Sequence, residues 1–332
     1  MVNKKSYVAQ LISLKKPAVT SASAFAPANI ALCKYWGKKN LELNLPTTPS
    51  LSISLGNRGS NVNISIAAQN YLSINNQVVA STSTAFKRTF DFLNLLAPND
   101  IKFAVQSSNN IPTGAGLASS ASYFAALTLA LNKLYNWQAP LTTLSCLARL
   151  GSGSACRSLY HGFVKWLNCD DPLQSYGIPL TTSWEELRIG LLIFDPTQKS
   201  ISSRQAMLHT QSTSPFYKSW CENSIKDFEI LHSAINQKNF QLLGETAEYN
   251  TFSLHAVMLS ARPAIIYSKP STLHAIEKVH ELRCNGVQVY LTQDAGPNLK
   301  LLFLEKDLAY ISNFFSELEV VSPFAKVDNW AP

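Results

Sequence analysis

The sequence predicts an α+β protein in two lobes. Two observations carry that prediction. Strand-like alternation and helical spacing are mixed along the chain without regular β-α-β order. Composition also shifts across residues 168–186, where Asp170-Asp171-Pro172, Gly177 and Pro179 read as a surface connection. A length of 332 residues leaves room for about two domains, each with its own core. The expected division is an N-terminal extension over 1–20, a first lobe over 21–186 and a second over 187–332.

In the first lobe, residues 51–55 (LSISL), 61–67 (NVNISIA), 71–74 and 101–105 alternate apolar with polar and predict strands of a half-buried antiparallel sheet. Apolar residues at helical spacing predict a helix over 84–96. Residues 119–135 are rich in Ala and Leu with almost no breakers and predict a buried helix. Another helix is expected over 141–150, ended by Gly151, and a strand over 162–166. The second lobe opens with a strand over 188–194 (RIGLLIF). Helices follow over 214–238, 241–262 and 271–284, then paired strands over 287–291 and 299–304 around a turn, and a last helix over 308–318.

Composition removes several classes. A chain with 46% hydrophobic and 15% charged residues is not a disordered one. The 13 Gly and 16 Pro, spread along the chain, exclude a collagen-like or low-complexity protein. No apolar run reaches the roughly 18–20 residues that cross a bilayer, so no membrane role is expected. At the start, Lys4-Lys5, an apolar stretch over 7–14 and Lys15-Lys16 lack a small-residue cleavage site, so they read as an extension rather than a secretory signal. Six cysteines form no C-x-x-C and stand at no zinc-finger spacing, which fits reduced thiols in a cytoplasmic protein. A net charge of +7 favours anionic partners without choosing between nucleic acid and a phosphorylated metabolite. The basic residues come in pairs at most, and no aromatic-basic repeat exists, so nucleic acid is not the expected partner.

Four segments carry chemistry. In N-I-P-T-G-A-G-L-A-S-S (110–120), Gly114 and Gly116 allow close backbone approach to a ligand. Ser119 and Ser120 then open a helix whose N-terminus suits phosphate. The same residues also read as a glycine turn with a serine cap, and no Walker-type G-K-[ST] follows. In P-A-N-I-A-L-C-K-Y-W-G-K (27–38), Lys34 and Lys38 flank an aromatic pair, as a polyanion site or a plain turn with solvated lysines would. In G-S-G-S-A-C-R (151–157), small residues and two hydroxyls precede an arginine able to grip a carboxylate or phosphate through two parallel bonds. A flexible helix-to-strand link reads the same way. In D-A-G-P-N (294–298), an aspartate at a strand end projects into a cleft or bonds to its own turn. Taken together, the four suit ATP-dependent chemistry on an anionic carboxylate. The six histidines show no metal-ligand spacing.

In this order the four segments resemble the mevalonate diphosphate decarboxylases of the GHMP kinase superfamily. S-I-S-S-R-Q-A-M (200–207) and T-S-P-F-Y (213–217) add to the match, which runs from about residue 23 to 304. The resemblance implies a two-lobed GHMP-kinase-like fold with the active site in the cleft between lobes. It implies conversion of mevalonate 5-diphosphate and ATP to isopentenyl diphosphate, ADP, phosphate and CO₂, within isoprenoid biosynthesis. Asp294 matches the catalytic aspartate that orients or deprotonates the 3-hydroxyl, and Arg157 the arginine that holds the substrate carboxylate. Lys34, Tyr35, Trp36 and Lys38 match the lysine-aromatic turn, with Lys34 counted among the catalytic groups. Asn29, Ser152 and Ser154 match substrate-site residues, and Ser203 and Arg204 reach the diphosphate. Gly114, Gly116, Ser119 and Ser120 match the nucleotide loop, with Ser120 also meeting Mg²⁺. Members of the family often form homodimers, although the sequence itself gives no oligomeric state.

The chemistry has its own logic. A tertiary alcohol leaves poorly until it is phosphorylated; loss of phosphate then builds positive charge at C3, and the carboxylate departs as CO₂. A relative that acts on a monophosphate or stops at the 3-phosphate, a plain kinase, is expected to lack Asp294 or the lysine turn, and a non-catalytic relative to have lost the serine pair, Arg157 or Asp294. None is lost. The chain departs from the family at Ser122 and His161, where small residues are usual.

Overall fold

The computed structural model describes residues 3–98, 100–111, 119–195 and 201–325. Its elements follow one another as helix α1 (Lys4–Leu11), strands β1 (Ser21–Cys33), β2 (Lys38–Asn40), β3 (Leu45–Pro46), β4 (Ser50–Ala67), β5 (Tyr71–Ile74) and β6 (Gln77–Val78), helix α2 (Thr84–Leu96), strand β7 (Lys102–Asn109), helices α3 (Ser119–Tyr135) and α4 (Leu141–Gly151), then strands β8 (Phe163–Trp166), β9 (Gly177–Pro179) and β10 (Leu187–Leu192). Helices α5 (Ser203–Thr213), α6 (Tyr217–Asn236), α7 (Phe240–Leu259) and α8 (Pro270–Cys284) come next, followed by strands β11 (Val289–Gln293) and β12 (Leu299–Leu304), helix α9 (Leu308–Phe314) and strand β13 (Glu319–Val321).

The α+β expectation stands. A seven-stranded sheet runs β6-β5-β7-β4-β8-β9, with β1 paired along the other side of β4. A four-stranded sheet runs β11-β12-β10-β13. The first core lies between the large sheet and α1, α2, α3 and α4, built from Val62, Ile64, Phe92, Phe124, Leu131 and Leu147 among others. A second core joins the two sheets, where Ile30 and Leu32 of β1 meet Ile189 of β10, Phe228 of α6 and Leu243 of α7. The late half of β1 is therefore the seam of the molecule, and its end delivers residues 33–38 to the junction.

Several elements differ from the sequence reading. Residues 51–55 and 61–67 are one continuous strand, β4, because β1 pairs with it from Ser65 back to Leu51 across the polar stretch that breaks the alternation. The β5 strand pairs with β7 in parallel, not antiparallel. The expected helix over 308–318 stops at Phe314, since Glu319–Val321 must turn back to pair with β10. The elements that the sequence reading did not foresee are the short strands β2, β3, β6, β9 and β13, helix α1, the Ala-rich β1 and the polar α5. The last had a legible cue in its capping box, in which the Ser202 side chain accepts from Gln205 N and Gln205 reaches back. All six cysteines are free thiols.

Candidate active site

The β1 strand is irregular where it matters. Its register with β4 shifts between Pro27 and Asn29 and again between Ala31 and Cys33, and such bulges re-aim side chains. Asn29 is thereby buried and turned toward the 3₁₀ turn Gly153–Arg157. Its amide donates to Ser158 Oγ at 2.7 Å and to the Ser154 carbonyl at 3.3 Å, while its Oδ1 accepts from Arg157 Nη2 at 3.3 Å. Arg157 also donates to Ser50 Oγ, and its guanidinium stands 5.8 Å from the Trp166 ring centroid. Only 2% of Arg157 is exposed, and burial pulls its pKa down. Among the described residues no carboxylate pairs with it, although Asp294 lies close enough to act on its charge.

Lys34 follows β1 directly, its backbone N–H bonded to Asn250 Oδ1 at 2.8 Å. Its ammonium donates to Ala31 O at 3.0 Å, Thr292 Oγ1 at 2.6 Å and Asp294 Oδ1 at 2.9 Å. The β11–β12 hairpin sets Thr292 opposite Lys300 in register. Both side chains thus face the same way, and Lys300 Nζ reaches Asp294 Oδ2 at 3.1 Å. Asp294 sits just past β11 on a turn closed by Gly296 N–H to Asp294 O at 2.7 Å. Burial pushes its carboxyl pKa up, but the Lys300 and Lys34 ammonium groups outweigh that and hold it well below the usual carboxylate range. Lys34 is pulled down by burial, against the opposing pull of Asp294. At neutral pH the centre is an ionised aspartate between two lysines.

The rest of the lysine-aromatic turn divides in two. Tyr35 lies against Trp166 at 4.8 Å between centroids and against Gly153. Trp36 instead packs into an apolar cluster with Met207, Tyr217, Trp220 and Leu254, where Tyr217 Oη donates to its carbonyl at 3.2 Å. Its ring is thus held against α5, α6 and α7. Gly37 has φ +107, and a Cβ there would fall 1.7 Å from Tyr217 Oη, so only glycine closes the turn. Lys38 beyond it is buried, donates to Asn44 Oδ1 at 2.6 Å and has its pKa lowered to about 8 by burial and by the charges of Arg204 and Arg88. Arg88 donates to Gly151 O at 3.1 Å and also feels Arg204. Arg204, with Ser203, opens α5. Three cationic side chains from three elements therefore surround one region.

At the start of α3, Ser120 Oγ meets Ser152 Oγ at 3.2 Å. Ser119, Ser120, Arg88, Asn109 and Tyr123 line a cavity of about 170 Å³ with apolar walls from Ile74 and Phe124. Ser122 ties the helix start to the sheet, its Oγ 2.7 Å from Ser60 Oγ. Gly114 and Gly116 lie outside the described residues. The structure thus brings the serine turn, the lysine turn and the aspartate hairpin to one junction, and sets the serine pair beside Ser152.

Residues 26–177 match the family model of the diphosphomevalonate decarboxylase-like N-terminal domain, and residues 189–329 that of the mevalonate 5-diphosphate decarboxylase C-terminal domain. The chain belongs to the mevalonate diphosphate decarboxylase family. The diphosphomevalonate decarboxylase of Debaryomyces hansenii is 33% identical over 93% of this chain and 86% of its own. Mevalonate diphosphate decarboxylase from Staphylococcus aureus superposes with a TM-score of 0.86 at 32% identity, over 92% of this chain and 96% of that one. A further decarboxylase structure, MDDEF in complex with MVAPP, AMPPCP and magnesium, gives 0.85 at 35% identity over 91% and 96%.

Within this decarboxylase scaffold the sequence reading missed Lys300, Thr292, Asn250, Ser50 and Arg88. Lys300 had a signal: it is a lone charge in the apolar run L-K-L-L-F-L (299–304), and it is 1% exposed. Arg88 sits on the polar side of α2 as ordinary surface arginines do. His255 of α7 also borders the centre, where burial and Lys34 lower its pKa to about 4, so it stays neutral.

Proposed function

We propose that this junction, between lobes spanning 21–186 and 187–332, carries out the ATP-dependent decarboxylation of mevalonate 5-diphosphate to isopentenyl diphosphate. The observation that carries the reading is Arg157: a buried guanidinium with no carboxylate partner among the described residues, beside an ionised aspartate. An unpaired buried cation is costly, and a substrate carboxylate relieves that cost. Asp294 then faces the 3-hydroxyl. So weak a base accepts the hydroxyl's hydrogen bond and orients it, and the proton leaves late, as phosphoryl transfer develops. Lys34 and Lys300 keep Asp294 ionised and fixed. Lys38, Arg88 and Arg204 face the diphosphate.

Ser119 and Ser120 stand at the start of α3 and line the cavity, an arrangement that fits a nucleotide phosphate. Ser120 would be the protein contact of a Mg²⁺ ion brought with the nucleotide, since a hydroxyl oxygen suits so hard a cation. Bound there, Mg²⁺ neutralises developing phosphate charge. Once the 3-oxygen is phosphorylated, the cationic walls stabilise its departure with phosphate. Arg157 must hold the carboxylate without burying its charge in a tighter pair than the departing CO₂ can leave. The test is purified protein with ATP, Mg²⁺ and mevalonate 5-diphosphate, following ADP and CO₂ together. Equal amounts of both are expected; ADP without CO₂ makes it a kinase.

Lys38 gives a pH signature. It is cationic below its pKa of about 8 and neutral above, so attraction to the diphosphate is present below that pH and lost as pH rises through it. KM for the substrate is expected to climb above about pH 8, and Lys38→Arg, whose charge does not titrate, to flatten the profile between about pH 7 and 9. An unchanged profile in that variant removes Lys38 from the site. Gly153→Ala would set a Cβ 2.5 Å from Tyr35 Oη and 2.8 Å from its ring. The turn must shift, and kcat/KM is expected to fall about tenfold or more; wild-type kinetics would mean that the turn has slack.

A further inference from the structure

The N-terminal extension has no part in the family match, which begins at residue 26. It is nevertheless built into the molecule. Helix α1 starts at an Asn3 cap, its Oδ1 accepting from Ser6 N–H at 2.8 Å. Tyr7 and Val8 are each 1% exposed and sit in the first core beside α2 and α4. Tyr7 reaches Arg149 in the last turn of α4. Arg149 is fully buried, and no carboxylate among the described residues pairs with it. Its acceptors are Ser175 O at 2.7 Å, Pro172 O at 3.1 Å and Tyr7 Oη at 2.7 Å. Its guanidinium carbon stands 5.5 Å from the Tyr7 ring centroid, and Tyr7 Oη in turn donates to Pro172 O at 2.9 Å. The Arg149 Nε has no acceptor among the described residues, so each remaining one counts. A buried cation that loses an acceptor pays the full desolvation cost of the freed donor.

Arg149 stands at a crossroads. Asn44 Nδ2 donates to the Arg149 and Leu150 carbonyls at 2.8 and 3.2 Å, and Asn44 Oδ1 holds Lys38. Arg88 holds the next carbonyl, that of Gly151. Ser152 and the turn ending in Arg157 follow at once. The end of α4 is thus a bracket to which the lysine turn, the α2 arginine and the serine turn are all fastened. Lys4, at the start of α1, is close enough to act on the charge of Lys38.

We propose that α1 is a strap that sets the substrate turn, with Tyr7 as a positioning residue acting through Arg149. This rests on the reading that the turn 152–157 holds the substrate. Tyr7→Phe keeps the buried ring and removes only the hydroxyl, so the helix still docks. Steady-state kinetics of the full-length variant are expected to show KM for mevalonate 5-diphosphate raised about five- to tenfold, with KM for ATP unchanged. Amide hydrogen exchange over 149–158 and 172–177 is expected to be faster than in the wild type. In a cycle with Arg149→Met, the two effects on KM are expected to be less than additive, because both act through one bond network. Wild-type KM with a lowered melting temperature would make α1 a stability element only and overturn the proposal, as would full additivity. If the wild type itself does not turn over this substrate, the functional reading fails, while unchanged exchange over 149–158 would still overturn the strap on its own.

Discussion

Asp294→Asn is expected to lower kcat by about 10²–10⁴-fold while KM for mevalonate 5-diphosphate stays within about threefold. The amide cannot accept the 3-hydroxyl as a carboxylate does, so the alcohol loses the group that aims it at the phosphate. Substrate affinity survives because the change removes a negative charge from beside a polyanion. The substitution also frees Lys34 and Lys300, 3% and 2% exposed at their side chains, from their shared counter-ion. Breaking such a buried pair costs on the order of 3 kcal/mol, so a fall in thermal stability is expected, smaller once substrate is bound. Parallel release of ADP and CO₂ at near-normal rates would remove Asp294 from the chemistry. ADP release without CO₂ would move its role from phosphoryl transfer to the later elimination.

Arg157→Met has the opposite thermodynamic profile. Removing a charge-assisted grip on the substrate carboxylate costs about 3 kcal/mol, which corresponds to roughly a hundredfold in kcat/KM. The unliganded protein, however, is expected to lose little. A buried cation without an anionic partner is itself a burden, and a methionine of similar volume keeps the contact with Trp166. The melting temperature without substrate is expected to move by about 3 °C or less, whereas the stabilisation that substrate adds to the wild type should vanish. Arg157→Lys keeps a charge but not the planar fork, so partial recovery of kcat/KM is expected there. Unchanged kinetics in Arg157→Met, measured with both substrates varied, would end its assignment to the carboxylate.

Much of this was legible because the signals are local. The Ala- and Leu-rich run of α3 has no breaker and needs a buried, helical place; the structure starts and ends it at Ser119 and Tyr135, as its composition predicts. The α2, α7 and α8 helices and the β11–β12 hairpin follow from period alone to within a few residues. The β1 strand was not legible, since SASAFAPANIALC does not alternate strictly along its length and carries a single β-branched residue, Ile30, among five alanines. Pairing with a neighbour of eighteen residues makes it a strand regardless. The N-terminal helix was equally silent, because its two buried residues, Tyr7 and Val8, are adjacent and leave no helical stripe.

The sequence by itself determined the chemical inventory: which segments carry lysines, serines, an arginine and an aspartate, and therefore which family they resemble. Tertiary structure alone decided the electrostatics. That Asp294 is ionised depends on Lys300, six residues on across a hairpin, and on Lys34, 260 residues earlier. That Arg157 meets no carboxylate among the described residues, while Arg149 is served by carbonyls and a tyrosine, depends on burial and on distant chain segments. Charge state and desolvation are properties of surroundings, and surroundings are fixed only when the chain has folded.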